Sequence, residues 1–253
     1  MQITVISYLG VFVIVVLVAF FLGMFSFVDR RILSRVVRVF IYFAFSLALV
    51  GCYAWVLLKQ NHWWGALLGA FAISIVTSYL SVIKAKIPLG RFLLPIVLAQ
   101  MIGMTVGVGS SLFLIKISPI ITITAVTGIL SGLFILSTSS AMKVYLNSLK
   151  HTNEHYIYLL SNGATHFEAI QPSVRRCLRA SVMPLLQPLA SPVFVAPPIF
   201  FCALLLAGVS PLLSAAVVVL LTFLGVAVCS IVAVLAMIFS DSFIFDRSGR
   251  LLI

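Results

Sequence analysis

The sequence predicts an all-α, polytopic membrane helix bundle of seven transmembrane helices, and two observations predict it. The chain is 63% hydrophobic and 8% charged, with a mean hydropathy of +1.27. No water-soluble core hides that much apolar surface. Its apolar residues also gather into runs near twenty residues long, and about 20 residues rising 1.5 Å each cross a ~30 Å hydrocarbon layer with every backbone hydrogen bond made inside the helix.

The runs cover residues 4–28, 39–58, 63–83, 92–115, 119–141, 191–207 and 212–239. The first reads as a retained helix and not a signal peptide, because no positive region precedes it and its basic cluster follows it. The seventh is long enough to be tilted. Pro188, Pro192, Pro197 and Pro198 fall at the start of the sixth or within it, which predicts a bent or partly unwound helix there.

Orientation follows from the lysines and arginines between the spans. Arg30, Arg31, Arg35, Arg38, Lys84, Lys86, Arg91, Lys143, Lys150, Arg175, Arg176, Arg179, Arg247 and Arg250 fall on one side, Lys59 and Lys116 on the other. The positive-inside rule then places the N-terminus outside and the C-terminus in the cytoplasm. The net charge of +11 is thereby a topology signal with a secondary attraction to anionic membrane lipid, and no nucleic-acid partner is expected. Cys52, Cys177, Cys202 and Cys229 show no C-x-x-C spacing, so they read as small apolar packing residues and not as a disulfide framework or zinc site.

One transmembrane domain thus spans 1–253, and only the cytoplasmic connection at 142–186 has room for structure of its own. Its first part places Tyr145, Leu149, Tyr156, Leu159 and Leu160 near one helical face, and Asn162-Gly163 reads as a stop. Thr165-x-x-Glu168 is a capping box that restarts a helix. Pro172 is expected to bend or end that helix within two turns, and a third piece carries Arg175, Arg176 and Arg179. The segment reads as helix, break, short capped helix, break, basic helix. It presents Phe167, Glu168 and Ile170 to the cytoplasm, or else lies as an amphipathic connector on the membrane surface.

Gly163, Ala164, Thr165, Ala169, Arg175, Arg179, Ala180, Pro184, Pro198, Ala207, Gly208 and Pro211 fall in one ungapped register. In that register residues 160–215 resemble the permease subunits of the FetB-type family, small bacterial ABC transporter permeases linked to iron export, with plant relatives in aluminium tolerance. Arg38 and the Gly128/Gly132 pair extend the resemblance upstream.

The resemblance implies a multi-pass permease of the bacterial inner membrane, working as a homodimer. It implies that the short helix between spans five and six is a coupling helix that docks a separate cytoplasmic ABC ATPase. Docking would fall to Gly163, Ala164, Thr165, Phe167, Glu168, Ala169, Ile170, Arg175 and Arg179, with ATP and Mg bound by the partner and no cofactor by this chain. The implied cargo is iron or another metal.

This chain departs from the family at Ile199, Phe200 and Phe201, where Gly-Met-Met is usual, at Gln187 and Ala190, where an Asp and a Lys are, and at Leu133, where an Asn is. These changes remove oxygen, nitrogen and sulfur donors that a metal uses. Gln100, Met101, Met104 and Gln187 are left as candidate substrate-path residues, with metal ligands unknown. The alternative is a membrane scaffold or regulatory subunit that docks an ATPase without moving a metal.

Three G-x-x-x-G pairs, Gly65/Gly69, Gly103/Gly107 and Gly128/Gly132, predict close helix approaches among spans three to five or a homodimer face. No catalytic residue is expected. A phosphate-binding G-x-x-x-x-G-K-[ST] loop is absent, and the only acids are Asp29, Glu154, Glu168, Asp241 and Asp246, too few and too scattered for ATP hydrolysis by the usual arrangement. An intramembrane serine protease needs a histidine at membrane depth, whereas His62, His151, His155 and His166 lie outside the expected spans.

Overall fold

The fold is described by a computed structural model over residues 63–114, 118–190 and 207–244, with Gly23, Arg38, Ile41, Gly51, Trp55, Val56, Phe201, Cys202, Leu204 and Leu205 as isolated positions elsewhere. The chain divides into two compact units, Met1–Val56 and Leu57–Ile253, and the continuous described segments all belong to the second. The expected runs at 4–28 and 39–58, and the first half of that at 191–207, lie outside the described residues.

Every described element is an α-helix: α1 Trp63–Ala85, α2 Leu89–Leu114, α3 Pro119–His151, α4 Asn153–Ser161, α5 His166–Ala190 and α6 Pro211–Ile244. The helices α1, α2, α3 and α6 are long and apolar enough to cross a membrane, so the chain is an integral membrane protein. Both α3 and α6 open on Ser-Pro, where proline's fixed φ suits the first helical position and its missing N–H is not needed.

Side-chain contacts fix the helix directions. The short turn at 86–88 folds α2 back along α1, with Ile87 N–H closing on Val82 C=O and Lys86 held at φ 58°. Gly103 faces Val232 of α6 and Phe134 of α3, and Gly107 faces Leu130 and Val228, so α2 runs antiparallel to both. Gly225 of α6 lies against Leu133 of α3 and Asp241 against Tyr145, which makes those two parallel. Ser148 pairs with Ser173, and Cys177 with the Ala141 carbonyl, so α5 runs antiparallel to α3. The helix α3 touches each of the other five.

Two features of the connection at 142–186 differ from expectation. First, α3 continues ten residues past 141, because Met142, Tyr145, Leu146, Ser148 and Leu149 carry on its buried stripe while Lys143 and Lys150 stay outside. A one-residue joint at Thr152 leads straight into α4: Thr152 N–H bonds Ser148 C=O at 2.9 Å, and Tyr156 N–H bonds Thr152 C=O at 2.9 Å.

Second, the short capped helix is not a separate element but the first turns of α5, which runs unbroken through Pro172 and Pro184. A proline inside a helix costs about 3 kcal/mol. Here Pro172 is exposed, and the opposite face buries Ile170, Ser173, Cys177, Ser181 and Leu185 at three- and four-residue spacing. Burial worth about 1.5–3 kcal/mol for each large apolar side chain offsets the missing bond, so packing overrides the local break.

The glycine pairs divide. A Cβ at Gly103 or Gly107 collides with neighbouring side chains, whereas among the described residues nothing lies within 4 Å of one at Gly128 or Gly132. Gly65 and Gly69 are half-buried on α1. Gly103→Ala is therefore expected to lower stability by about 1–3 kcal/mol through overpacking, and Gly128→Ala to raise it slightly through helix propensity. Melting temperatures in one detergent check this, with the first falling by several degrees and the second not.

Candidate functional site

Between α4 and α5 the chain makes a rigid exposed tip. Helix α4 stops because Gly163, at φ +85°, takes a left-handed conformation that costs a residue with a Cβ roughly 1–2 kcal/mol. There Ala164 N–H bonds Leu159 C=O and Gly163 N–H bonds Leu160 C=O, both at 3.1 Å, the paired bonds of a Schellman end. Two residues on, the capping box forms as its spacing predicts. Thr165 N–H and Oγ1 each donate to Glu168 Oε2 at 2.8 Å, and Glu168 N–H points back to Thr165 Oγ1 at 3.4 Å. The bond from the Thr165 backbone, followed by that from its hydroxyl, holds the Glu168 carboxyl below the usual carboxylate range.

Phe167, 66% exposed, projects from the first turn of α5 beside exposed Glu168, with Arg175 and Arg179 exposed farther along. Gly163 and Thr165 are exposed and Ala164 half-buried. Ala169 and Ile170, expected at the same surface, are buried, because the continuous helix turns them onto the stripe that faces the bundle.

Beneath the tip lies a polar joint that no local pattern in the sequence announces. Asp241 near the end of α6 accepts a hydrogen bond from Tyr145 Oη of α3 at Oδ1 and pairs with His166 Nε2 of α5 at Oδ2, both at 3.0 Å. His166 Nδ1 lies 2.8 Å from Tyr156 Oη of α4. With neutral His166 carrying its proton on Nε2, Tyr156 donates to Nδ1 and every group in the chain of bonds has a matching partner. Burial, then the nearby Asp241 charge, raises the Tyr156 phenol above its ordinary range. One signal was legible: Asp241 is the only charged residue in the 34 residues of α6, and an acid in so apolar a helix marks a working position. Its partners, 75 and 96 positions away, were not.

The candidate substrate-path residues are not brought together. Gln100 is fully buried where α2 meets α1 and α3. Thr77 Oγ1 and Ser78 Oγ donate to its Oε1 at 2.7 and 2.9 Å, and its Nε2 donates to Ser81 Oγ and Thr138 Oγ1 at 3.2 and 3.4 Å. Met104 is buried and helps line an apolar cavity of about 140 Å³ with Leu67, Phe71 and Leu112. Met101 is half-buried, and Gln187 is exposed on α5. Among the described residues, no three His, Cys, Asp or Glu side chains converge to hold a metal.

The profile of one protein family matches residues 6–245, nearly the whole chain. The chain belongs to that family, the uncharacterised protein family UPF0014. No curated protein and no solved structure matches it. The exposed tip, the polar joint and the Gln100 cluster of this UPF0014 member all fall inside the matched span.

The cap and the Gln100 cluster of this UPF0014 chain each carry an expected outcome. Thr165→Ala removes the hydroxyl half of the cap and is expected to cost about 1 kcal/mol, read as faster amide exchange over the first turns of α5. Because the Glu168 pKa is lowered on folding, its cap bond contributes above the usual carboxylate range and is lost as pH falls through the folded value. The tip should therefore fray in acid in the wild type, less so in Thr165→Ala, which keeps the backbone N–H bond to Glu168, and no further in Glu168→Gln. Gln100→Leu is expected to cost no more than about 1–2 kcal/mol in thermal unfolding. With Gln100 gone, the single hydroxyl protons of Thr77 and Ser78 turn to Ser74 C=O, 3.0 and 2.7 Å away, while Ser81 keeps its bond to Thr77 C=O.

Proposed function

We propose that this chain is the transmembrane permease subunit of an ABC transporter, an exporter driven by a separate cytoplasmic ATPase that binds ATP and Mg. It crosses the bacterial inner membrane seven times with its N-terminus outside, and it works as a homodimer. The observation that carries this reading is the tip. A Schellman stop, a capping box and an exposed Phe167 sit on the end of a 25-residue helix that continues into the bundle. A capped, aromatic-bearing end suits a small docking surface, since aromatic anchors dominate binding energy when a partner's cleft desolvates them. The helix behind it is a rigid element through which partner motion reorients the spans.

The helix directions support the orientation. The C-terminal ends of α3 and α6 and the tip share one side of the bundle, the side on which the basic residues Lys143, Lys150, Arg175, Arg176 and Arg179 fall. Among the described residues nothing covers Gly128 or Gly132, and that face offers a close-approach surface for a second copy.

One observation favours a second reading, a scaffold or regulatory subunit that docks the ATPase without moving a metal. Gln100, the amide buried in α2, is engaged by neighbouring hydroxyls and not held ready for a cargo. Transport and scaffolding separate in vesicles reconstituted with the partner, where only a transporter couples ATP turnover to metal movement.

Docking is tested by affinity capture from native membranes. The full chain is expected to retain an ABC ATPase, and Phe167→Ala to weaken that retention about tenfold or more, as removal of a buried aromatic anchor does. A reporter inserted after Ala164 should read as cytoplasmic, and an extracellular reading there would sink the proposal.

A further inference from the structure

The polar joint bears on how the tip moves. Helix α5 is fastened to α3 along its length by the Ser148–Ser173 and Cys177–Ala141 contacts and by Arg176 Nη1 reaching Ser148 Oγ at 3.4 Å. Its connection to α6 differs in kind. In sequence the two helices are separated by the stretch between Ala190 and Pro211, and among the described residues the hydrogen bond that joins α5 to α6 directly is that of His166 with Asp241. The same carboxylate holds Tyr145 of α3, whose ring is fully buried. A carboxylate that accepts from donors on two helices ties both to α6 through one charged group.

We propose that Asp241 is a positioning residue that fastens the docking tip to the last span, so that displacement of the tip is delivered to α6 and α3 together and not to α3 alone. The mechanical role rests on the permease reading, whereas the fastening itself is a property of this chain and is tested on it alone. Among the described residues, the groups that face His166 are Asp241 from α6 and Tyr156 from α4. Tyr145 of α3 reaches it through Asp241, and Glu168 on its own helix is turned to Thr165.

The bonding pattern gives the joint a signature that plain packing lacks. In the wild type, Asp241 accepts from His166 whether the imidazole is neutral or protonated. Once His166 is protonated, its second N–H donates to Tyr156 Oη, which exchanges donor for acceptor. Asp241→Asn keeps the volume. Its amide oxygen still accepts from Tyr145, and its Nδ2 then donates to a neutral His166 Nε2, with the imidazole proton moved to Nδ1. A protonated His166 meets that amide donor to donor; turning the amide over lets Oδ1 accept from the imidazolium and Tyr145 Oη accept from Nδ2, but the imidazolium has then lost its charged partner and the buried Tyr145 proton its acceptor. The wild-type joint therefore holds as pH falls, and the Asn variant weakens.

The test is hydrogen–deuterium exchange of the full chain in lipid nanodiscs, with protection corrected for the intrinsic rate, at pH values of about 8 and about 5. In Asp241→Asn, protection over residues 166–176 is expected to match the wild type at the higher pH and to fall about tenfold or more at the lower, as loss of a bond to a charged group does. Peptides from α2 should stay unchanged in both. Tyr145→Phe, which leaves the His166 pair intact, should follow the wild-type pH trend and controls for folding. If Asp241→Asn tracks the wild type at both pH values, or loses protection uniformly through all helices, the fastening role is overturned. ATPase capture is a separate measurement, so failed capture with a positive exchange result removes the transport reading only, and the converse removes only this one.

Discussion

Hydrocarbon offers no hydrogen-bond partner, and the rest of the structure answers to that constraint. It makes the backbone helical and favours a partner within the protein for each buried polar side chain, though the Thr127, Ser181 and Ser240 hydroxyls have none among the described residues. Most serine and threonine hydroxyls comply locally by donating to a carbonyl three or four residues back, as at Ser74, Ser110, Ser140 and Ser230. Where a side chain is too long for that, neighbouring helices assemble around it, as α1 and α3 do around the Gln100 amide. Polar contacts of this kind fix which faces meet, a task that apolar side chains surrounded by apolar lipid perform poorly.

Close approach is the second organising force, and it is concentrated on α3. Its neighbours α2 and α6 meet it at glycines, with Gly103 and Gly107 on one and Gly225 on the other, while α5 meets it through Ser173 and Cys177. Burial pushes the Cys177 thiol up to about 12, so it packs as a small neutral residue beside the Ala141 carbonyl. Because α3 touches all the other described helices, a displacement of α5 is felt across the bundle. The tip is thus the exposed end of a connected structure.

The long helices were legible because their signal is one of length and composition. The runs at 63–83, 92–115, 119–141 and 212–239 sit within a few residues of α1, α2, α3 and α6, apart from the ten-residue extension of α3. The stop at Gly163 and the box at Thr165 and Glu168 were legible because a cap is a bargain between residues two to five positions apart. Pro172 misled for the complementary reason: its local cost is real, but the stripe from Ile170 to Leu185 that offsets it is apparent only once α5 lies against α3. Ile170 was assigned to the outer surface by the same error.

What the sequence determined by itself is the solvent, the all-helical class, the spans it shares with the structure and the capped tip, since each depends on residues close in the chain or on bulk composition. Only the tertiary structure decided that Gly103 and Gly107 face a neighbour while Gly128 and Gly132 meet none among the described residues, that Gln100 is satisfied by α1 and α3, and that Asp241 gathers Tyr145 and His166. Those pairings join positions 19 to 96 or more apart. A helix presents a whole circumference of equally apolar faces, and which of them turns inward is set by the neighbour's shape and not by its own residues.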